Sequence, residues 1–354
     1  MRFGRNMATG KVAQQLNSWR EELQDWFGGG RAFKMLAMVL LVIIVLLAAM
    51  GWYWSREPDL FSIEQSTQRV GIESREVVGV ATTSALLQVM ETLLDKPGGY
   101  THNDRLPPGV LLDNMPNWEY GALIQVRDLS RAMREYYSRS QSQSREDEEL
   151  SMAEPRFNFQ ANSWVLPASE SEYRDGMKLV ESYLVRLTDE QNKQAQFYAR
   201  ADNLHMYLGM VSSRLGSLSQ RLSASVGQAR INTDLAGDSA ATQATGADQM
   251  MEVKTSWFEI DDIFYEARGS SWALIHFLKA VEKDFAGVLQ KKNALISLRQ
   301  IIRELEETQG TIYSPIILNG SGFGLVANHS LVMASYVSRA NAAIIDLRDL
   351  LSRG

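Results

Sequence analysis

The sequence contains no cysteine. Disulfides, thiol catalysis and cysteine-ligated metal sites are therefore excluded. The absence is compatible with either side of a bacterial inner membrane. Histidine is almost as scarce, with four in 354 residues: His102, His205, His276 and His329. None stands in HExxH or another paired spacing that would suit a metal, so no metal or cofactor is expected. His205 falls between Ala201 and Leu208 on an apolar seam, and His276 lies among Ile275, Phe277 and Leu278. Both read as core histidines. A nucleotide loop is missing as well. Gly320-Ser321-Gly322-Phe323-Gly324 has glycine-rich spacing, but no Lys-Ser/Thr follows it and its setting is helical. A tight interhelical loop is the expectation there.

A basic surplus is also lacking. Net charge is −6, and residues 1 to 34 hold six Lys/Arg against three acids, so the remainder stands at −9. An acidic body argues against nucleic acid, because a duplex needs a basic footprint. A basic tail beside an apolar run suits anionic lipid headgroups.

That run is the strongest feature present. From Met35 to Trp54 there is no charged residue. Twenty helical residues span roughly 30 Å, the thickness of a hydrocarbon core. Arg31 and Lys34 flank one end, and Trp52, Tyr53 and Trp54 the other, where amphipathic rings favour the headgroup zone. A cleaved signal peptide would have a shorter apolar region followed by a small-x-small site. An uncleaved anchor over 35–54 is therefore expected. Arg20, Arg31 and Lys34 precede the span, against Arg56 and Arg69 after it. The positive-inside rule then puts residues 1–34 in the cytoplasm and about 300 residues, 55–354, on the outer, periplasmic side. Within the tail, Val12, Leu16, Trp19, Leu23, Trp26 and Phe27 recur at spacings of three and four, the pattern of an interfacial amphipathic helix.

The outer domain reads as all-α, an extended helical bundle with long helices. Val77 to Asp95 is stopped by Lys96-Pro97-Gly98-Gly99, and a second helix carries Trp118 to Tyr136. Pro155 to Pro167 reads as an extended loop packed by Phe157, Phe159 and Trp164. Ser169 to Val226 keeps a three-four apolar spacing suited to coiled-coil-like packing, either continuous or broken near Thr188 to Asn192, and Ser169-x-x-Glu172 resembles a capping box. Residues 232–249 are small and polar, with nothing to bury, and read as a flexible linker. Helices after Trp257, from Ile296 to Gln309 and from Met333 to Leu351 complete the pattern.

Two irregular loops, Tyr100 to Asn117 and Thr311 to Leu325, carry large apolar residues and should lie near each other as a shared cap. Asp104, Asp113, Asn114, Glu119 and His329 at that cap are the candidate ligand- or partner-binding residues. Paired carboxylates could in principle run acid–base chemistry, but spacing gives no constellation, and no catalytic residue is assigned.

The segments DNMPNWEYGALIQVRDLSRAMR, FYEARGSSWALIHFLKAVEKDF and IYSPIILNGSGFGLVANHSLVMASYVSRANAAIIDLRDL resemble the bacterial domain-of-unknown-function 2333 family. The resemblance spans nearly the whole chain. It implies an inner-membrane protein of Gram-negative bacteria and carries over no activity and no catalytic residue. Taken with the residues themselves, the expectation is a membrane-anchored structural or adaptor module that contacts membrane lipid, envelope proteins or a second copy of itself. A cell-wall hydrolase and a sensor relaying to a cytoplasmic partner are the alternatives.

Overall fold

The computed structural model describes residues 30–69, 77–139, 145–189, 195–231, 250–314 and 316–353. The expected tail helix (residues 12–27) and the expected linker (232–249) lie outside the described residues. Two units emerge, residues 1–53 and 54–354. Among its described residues the first holds one helix, α1 (Gly30–Trp54), whose 22 residues Phe33–Trp54 are long and apolar enough to cross a membrane. None of the apolar window is buried against other parts of the protein. Its backbone groups are satisfied within the helix.

The second unit is all-α apart from one short ribbon. Its helices are α2 (Ile63–Arg69), α3 (Val80–Asp95), α4 (Asn114–Ala132, prolonged by a π turn to Tyr137), α5 (Glu148–Phe157), α6 (Ser169–Thr188) and α7 (Ala201–Ser223). After a two-stranded antiparallel ribbon, β1 (Gln228–Ile231) with β2 (Met250–Val253), come α8 (Ile260–Asp284), α9 (Ala286–Lys291), α10 (Leu295–Glu307) and α11 (His329–Ser352). The apolar pattern over 169–226 is thus two helices: α6 stops at Thr188 and α7 starts at Ala201. Ser169 sits inside the first turn of α6 rather than capping it. Its hydroxyl donates to the Gln160 carbonyl (2.7 Å) and accepts the Ser163 amide (3.1 Å), which fastens the preceding loop instead. The Pro155–Pro167 segment is only partly a loop. Pro155 lies in the last turn of α5, and Arg127 collects the carbonyls of Phe157 and Phe159 at 2.8 Å each, which lets the helix end there. Phe157 is buried, whereas Trp164 is half exposed and packs less than expected.

Side-chain contacts fix the direction of each helix. Along α4 and α8, Asn117 meets Asp262 and Tyr137 meets Phe285, so these two run parallel. Thr82 of α3 meets Asp284, and Arg268 of α8 meets the carbonyl of Thr308 after α10, so α3 and α10 run against α8. Ser212 of α7 bonds Asn341 of α11, and Arg221 near the end of α7 pairs with Glu266. The domain therefore has two ends. The proximal end holds Trp54, where a Cβ on Gly98 would come within 2.7 Å of the indole. Of the described residues it gathers 96–113, 158–168, 224–231, 250–259, 308–314 and 316–328. The distal end gathers residues 77–79, the turn after Tyr137, the start of α7 and residues 285–294.

The core runs along α8. Trp118 and Trp272 are fully buried with ring centroids 5.0 Å apart, and Tyr137, Phe197 and Phe285 cluster at 5.0–5.8 Å near the distal end. Buried Asp284 takes the place of a local cap for α3. Its carboxylate accepts the amides of Gly79 (2.9 Å) and Thr82 (2.7 Å) and the Thr82 hydroxyl (2.6 Å), satisfying donors at the helix start. Burial raises its pKa, against these hydrogen bonds.

Candidate functional site

The loop from Tyr100 to Asn117 is organised by one carboxylate. Glu119, in the second turn of α4, is wholly buried and pairs with Lys96 Nζ at 2.5 Å; the two side chains are 0% and 1% exposed. It also accepts the Thr101 amide and hydroxyl at 2.9 Å and the His102 amide at 2.8 Å. His102 Nδ1 bonds the Pro116 carbonyl at 2.9 Å, and its ring stacks on Tyr120. Glu119 was a candidate for binding; its oxygens are instead consumed in holding the loop to the helix. Asp104 lies against the same structure. Desolvation raises its pKa first, with Glu119 and Glu170 adding repulsion and Lys96 opposing. A Cβ at Gly109 would come within 1.8 Å of Asp104 Oδ2, so a side chain there would have to displace the Asp104 carboxylate. Asn114 opens α4 with its Oδ1 buried and lacking a donor.

Asp113, at the end of the loop, joins a group that spacing did not reveal. Its carboxylate and those of Asp261 and Asp262 have oxygens within 4.8 Å of one another. Asp261 and Asp262 belong to the first turn of α8, where acids ordinarily complement the helix dipole. Their sequence signal is therefore that of an unremarkable helix start, and only the fold brings Asp113 to them. Asn117 Nδ2 donates to Asp262 at 2.6 Å. Desolvation, then repulsion from Asp113 and Asp261, raises the Asp262 pKa to about 6, and Asp113 is raised by burial and by Asp261. Among the described residues these three could hold a hard divalent cation, supplying half or less of the six to eight oxygens calcium takes. They can also share a proton.

The proton has a measurable consequence. Folded Asp262 titrates near 6 and unfolded aspartate near 4, so its contribution to stability is present in full below about pH 4 and is lost as pH rises through about 6. Asp262→Asn is expected to raise stability at pH 7 and to flatten the stability profile between pH 4 and 6. Screening at this partly exposed site holds the effect to on the order of 1 kcal/mol. Denaturant melts of wild type and variant at pH 4.5 and 7.5 check this; parallel shifts at both pH values would contradict it.

His329, the fifth candidate, stands apart from the acids. It opens α11, where its Nδ1 accepts the Leu318 amide at 3.2 Å, and its ring lies 6.4 Å from Phe264. It lines a cavity of about 550 Å³ with Phe264, Tyr313, Met333 and Tyr336, within the size range of small-molecule sites. Among the described residues no hydrogen bond, ion pair or ring contact joins the two loops. Both lie at the proximal end, where Asn117 at the end of the first loop bonds Asp262 in the first turn of α8 and Phe264 lies beside His329 of α11. His205 is half exposed on α7 rather than in the core, while His276 is fully buried, stacked on Phe61 at 3.6 Å, its pKa lowered to about 3 by desolvation.

Arg268 carried no sequence signal yet ties the proximal end together. Buried in α8, it pairs with Glu57 (2.6 Å) and donates to the carbonyls of Thr308 (3.0 Å) and Gly310 (2.8 Å) beyond the end of α10. A guanidinium fork suits orphan carbonyls and a carboxylate at once. Trp272 Nε1 adds a 3.4 Å contact to the Asp59 carbonyl. A groove of about 770 Å³ between residues 55–60 and Gln309–Ile312 flanks this junction.

A family model described as "Uncharacterized protein conserved in bacteria (DUF2333)" matches residues 28–354. No curated protein and no solved structure matches the chain.

Proposed function

We propose, for a chain that belongs to this family of uncharacterised proteins conserved in bacteria, that it is a single-span inner-membrane protein whose periplasmic helical domain serves as a structural or adaptor module. The observation that carries the reading is α1. Residues 33–54 form a helix long and apolar enough to cross a membrane, and its most apolar stretch leaves large side chains such as Leu40, Ile43 and Leu46 exposed, a surface suited to hydrocarbon. Lys34 at one end and Trp52 and Tyr53 at the other are exposed, as headgroup anchors would be, and Arg31 lies in the first turn. The Lys/Arg bias before the span orients the N-terminus to the cytoplasm. The adaptor role draws on the use made of buried charge: Glu119 with Lys96, Arg268 with Glu57, and Asp284 all serve the bundle's own geometry. Membrane lipid, envelope proteins and a second copy are the partners this reading implies.

Alkaline phosphatase fused after Gly354 is expected to be active in cells, and a reporter that works only in the cytoplasm is expected to be silent at the same place. The reverse pair of results would end the periplasmic reading.

A further inference from the structure

The two ends of the domain are chemically unlike. At the distal end the exposed large apolar side chains are aliphatic, with Val78, Val185 and Ile296 as examples. At the proximal end Leu111, Leu166, Phe258, Tyr313, Phe323 and Leu325 are each 72% exposed or more. They sit on four different segments: Leu111 on 96–113, Leu166 on 158–168, Phe258 between β2 and α8, and Tyr313, Phe323 and Leu325 between α10 and α11. No exposed aromatic ring of the described domain lies anywhere else. Burying one such side chain is worth on the order of 1.5–3 kcal/mol, and folding leaves all six in water. Clustered exposed apolar groups of this kind mark a surface that something covers.

The chain itself indicates what covers it. It enters the domain at Trp54, which packs on Gly98 between α3 and the loop bearing Leu111. Glu57 then pairs with Arg268, and the same guanidinium holds the Gly310 carbonyl, one residue before the segment that carries Tyr313, Phe323 and Leu325. The apolar tips thus lie at the end of the domain where its chain begins, at Trp54 and Glu57. Leucine and aromatic side chains on turns are suited to the headgroup–acyl boundary. The charged groups among them are the carboxylates Asp104, Asp113, Glu259, Asp261 and Asp262 with two scattered exposed cations, Arg105 and Lys254, rather than a lysine cluster, so attraction to anionic lipid is not the main source of contact.

We propose that the proximal end is a lipid-binding surface that inserts these loop tips into the leaflet from which α1 emerges. The inference rests on the reading of α1 as a membrane span. It adds that the domain stands directly on the bilayer, held by several shallow apolar contacts, instead of swinging on a single tether.

The absence of cysteine makes the test direct. Single cysteines at Leu166, Phe323 and Leu325, at distal Ile296 and at Ile44 within α1 are introduced into the full chain, labelled with an environment-sensitive fluorophore and reconstituted into phosphatidylcholine vesicles with or without nitroxide-bearing lipid. The three proximal labels are expected to shift to the blue and lose most of their emission to the nitroxide lipid, equally at low and high salt. Ile296 should keep its emission, and Ile44 should lose it. Quenching at Ile44 with proximal labels that behave like Ile296 would overturn the lipid surface and leave the anchor standing. No quenching at Ile44 would overturn the anchor and this inference together. A blue shift at the proximal sites without nitroxide quenching would mean that protein, such as a second copy, covers them, and would also overturn the proposal.

Discussion

Replacing Glu119 with alanine is expected to be among the most destabilising single changes this domain can suffer, at ~3–5 kcal/mol. The reason is what would be left behind. Lys96 keeps its ammonium in a site where its side chain is 1% exposed, with Gly99 carbonyl as its remaining partner at 2.6 Å. The Thr101 amide and hydroxyl and the His102 amide lose their acceptor at the same time. An uncompensated buried charge and unmet buried donors each carry a desolvation penalty. Glu119→Gln should cost less, because its amide oxygen can still accept from Thr101, although the charge on Lys96 stays unbalanced. Removing both charges, Lys96→Met with Glu119→Gln, is expected to recover part of the loss. Guanidinium melts of the detergent-solubilised chain measure all three. A Glu119→Ala cost of about 0.5 kcal/mol or less, as for an ordinary surface change, would contradict the buried-anchor account of the loop.

Alanine at Gly121 or Gly269 is expected to cost at least the upper end of the ~1–3 kcal/mol typical of overpacking. These glycines let α4 and α8 cross closely enough for backbone to touch backbone. A Cβ on Gly121 would meet the Glu266 carbonyl oxygen at 1.9 Å, and one on Gly269 the Trp118 carbonyl oxygen at 1.9 Å. Neither obstacle is a flexible side chain that could swing away, so the helices themselves must part, and Trp118 with Trp272 beside the crossing would be pried open. Gly287 in α9 provides the control, since a Cβ there meets nothing within 4 Å. Gly287→Ala should stabilise by about 0.5–1 kcal/mol through helix propensity alone. Thermal melts would show the crossing variants several degrees below wild type and Gly287→Ala at or above it. Equal behaviour of all three would contradict the close crossing.

The apolar span was legible as an unbroken run over Met35–Trp54, and helix content because it rests on local periodicity, which α3 and α8 keep without interruption. The break between α6 and α7 was half legible. The apolar spacing of Leu184 and Leu208 continues across it, so periodicity alone supports one helix, and only packing against α5 and α11 decides for two. The role of Glu119 was misread because its neighbours in the fold, Lys96 and Thr101, are about twenty residues away in sequence and share no helical spacing with it. Arg268 and the pair Asp261–Asp262 were passed over for a related reason. An arginine within an apolar helix and two acids at a helix start are each ordinary, and their partners Glu57, Gly310 and Asp113 come from distant connections. That the two long loops fall at one end follows from connectivity, since each joins antiparallel neighbours, but among the described residues no hydrogen bond, ion pair or ring contact joins them into the expected shared cap.

The account stands on a span that carries the domain across the membrane, and sidedness of single cysteines in the otherwise unchanged chain tests it most directly. With a membrane-impermeant maleimide, a cysteine at Ile296 is expected to react in intact spheroplasts and to be protected in sealed inside-out vesicles, while one at Ala8 shows the opposite pattern. Labelling of Ala8 in spheroplasts with protection of Ile296 would invert the topology, and equal labelling of both in either preparation would contradict the span itself.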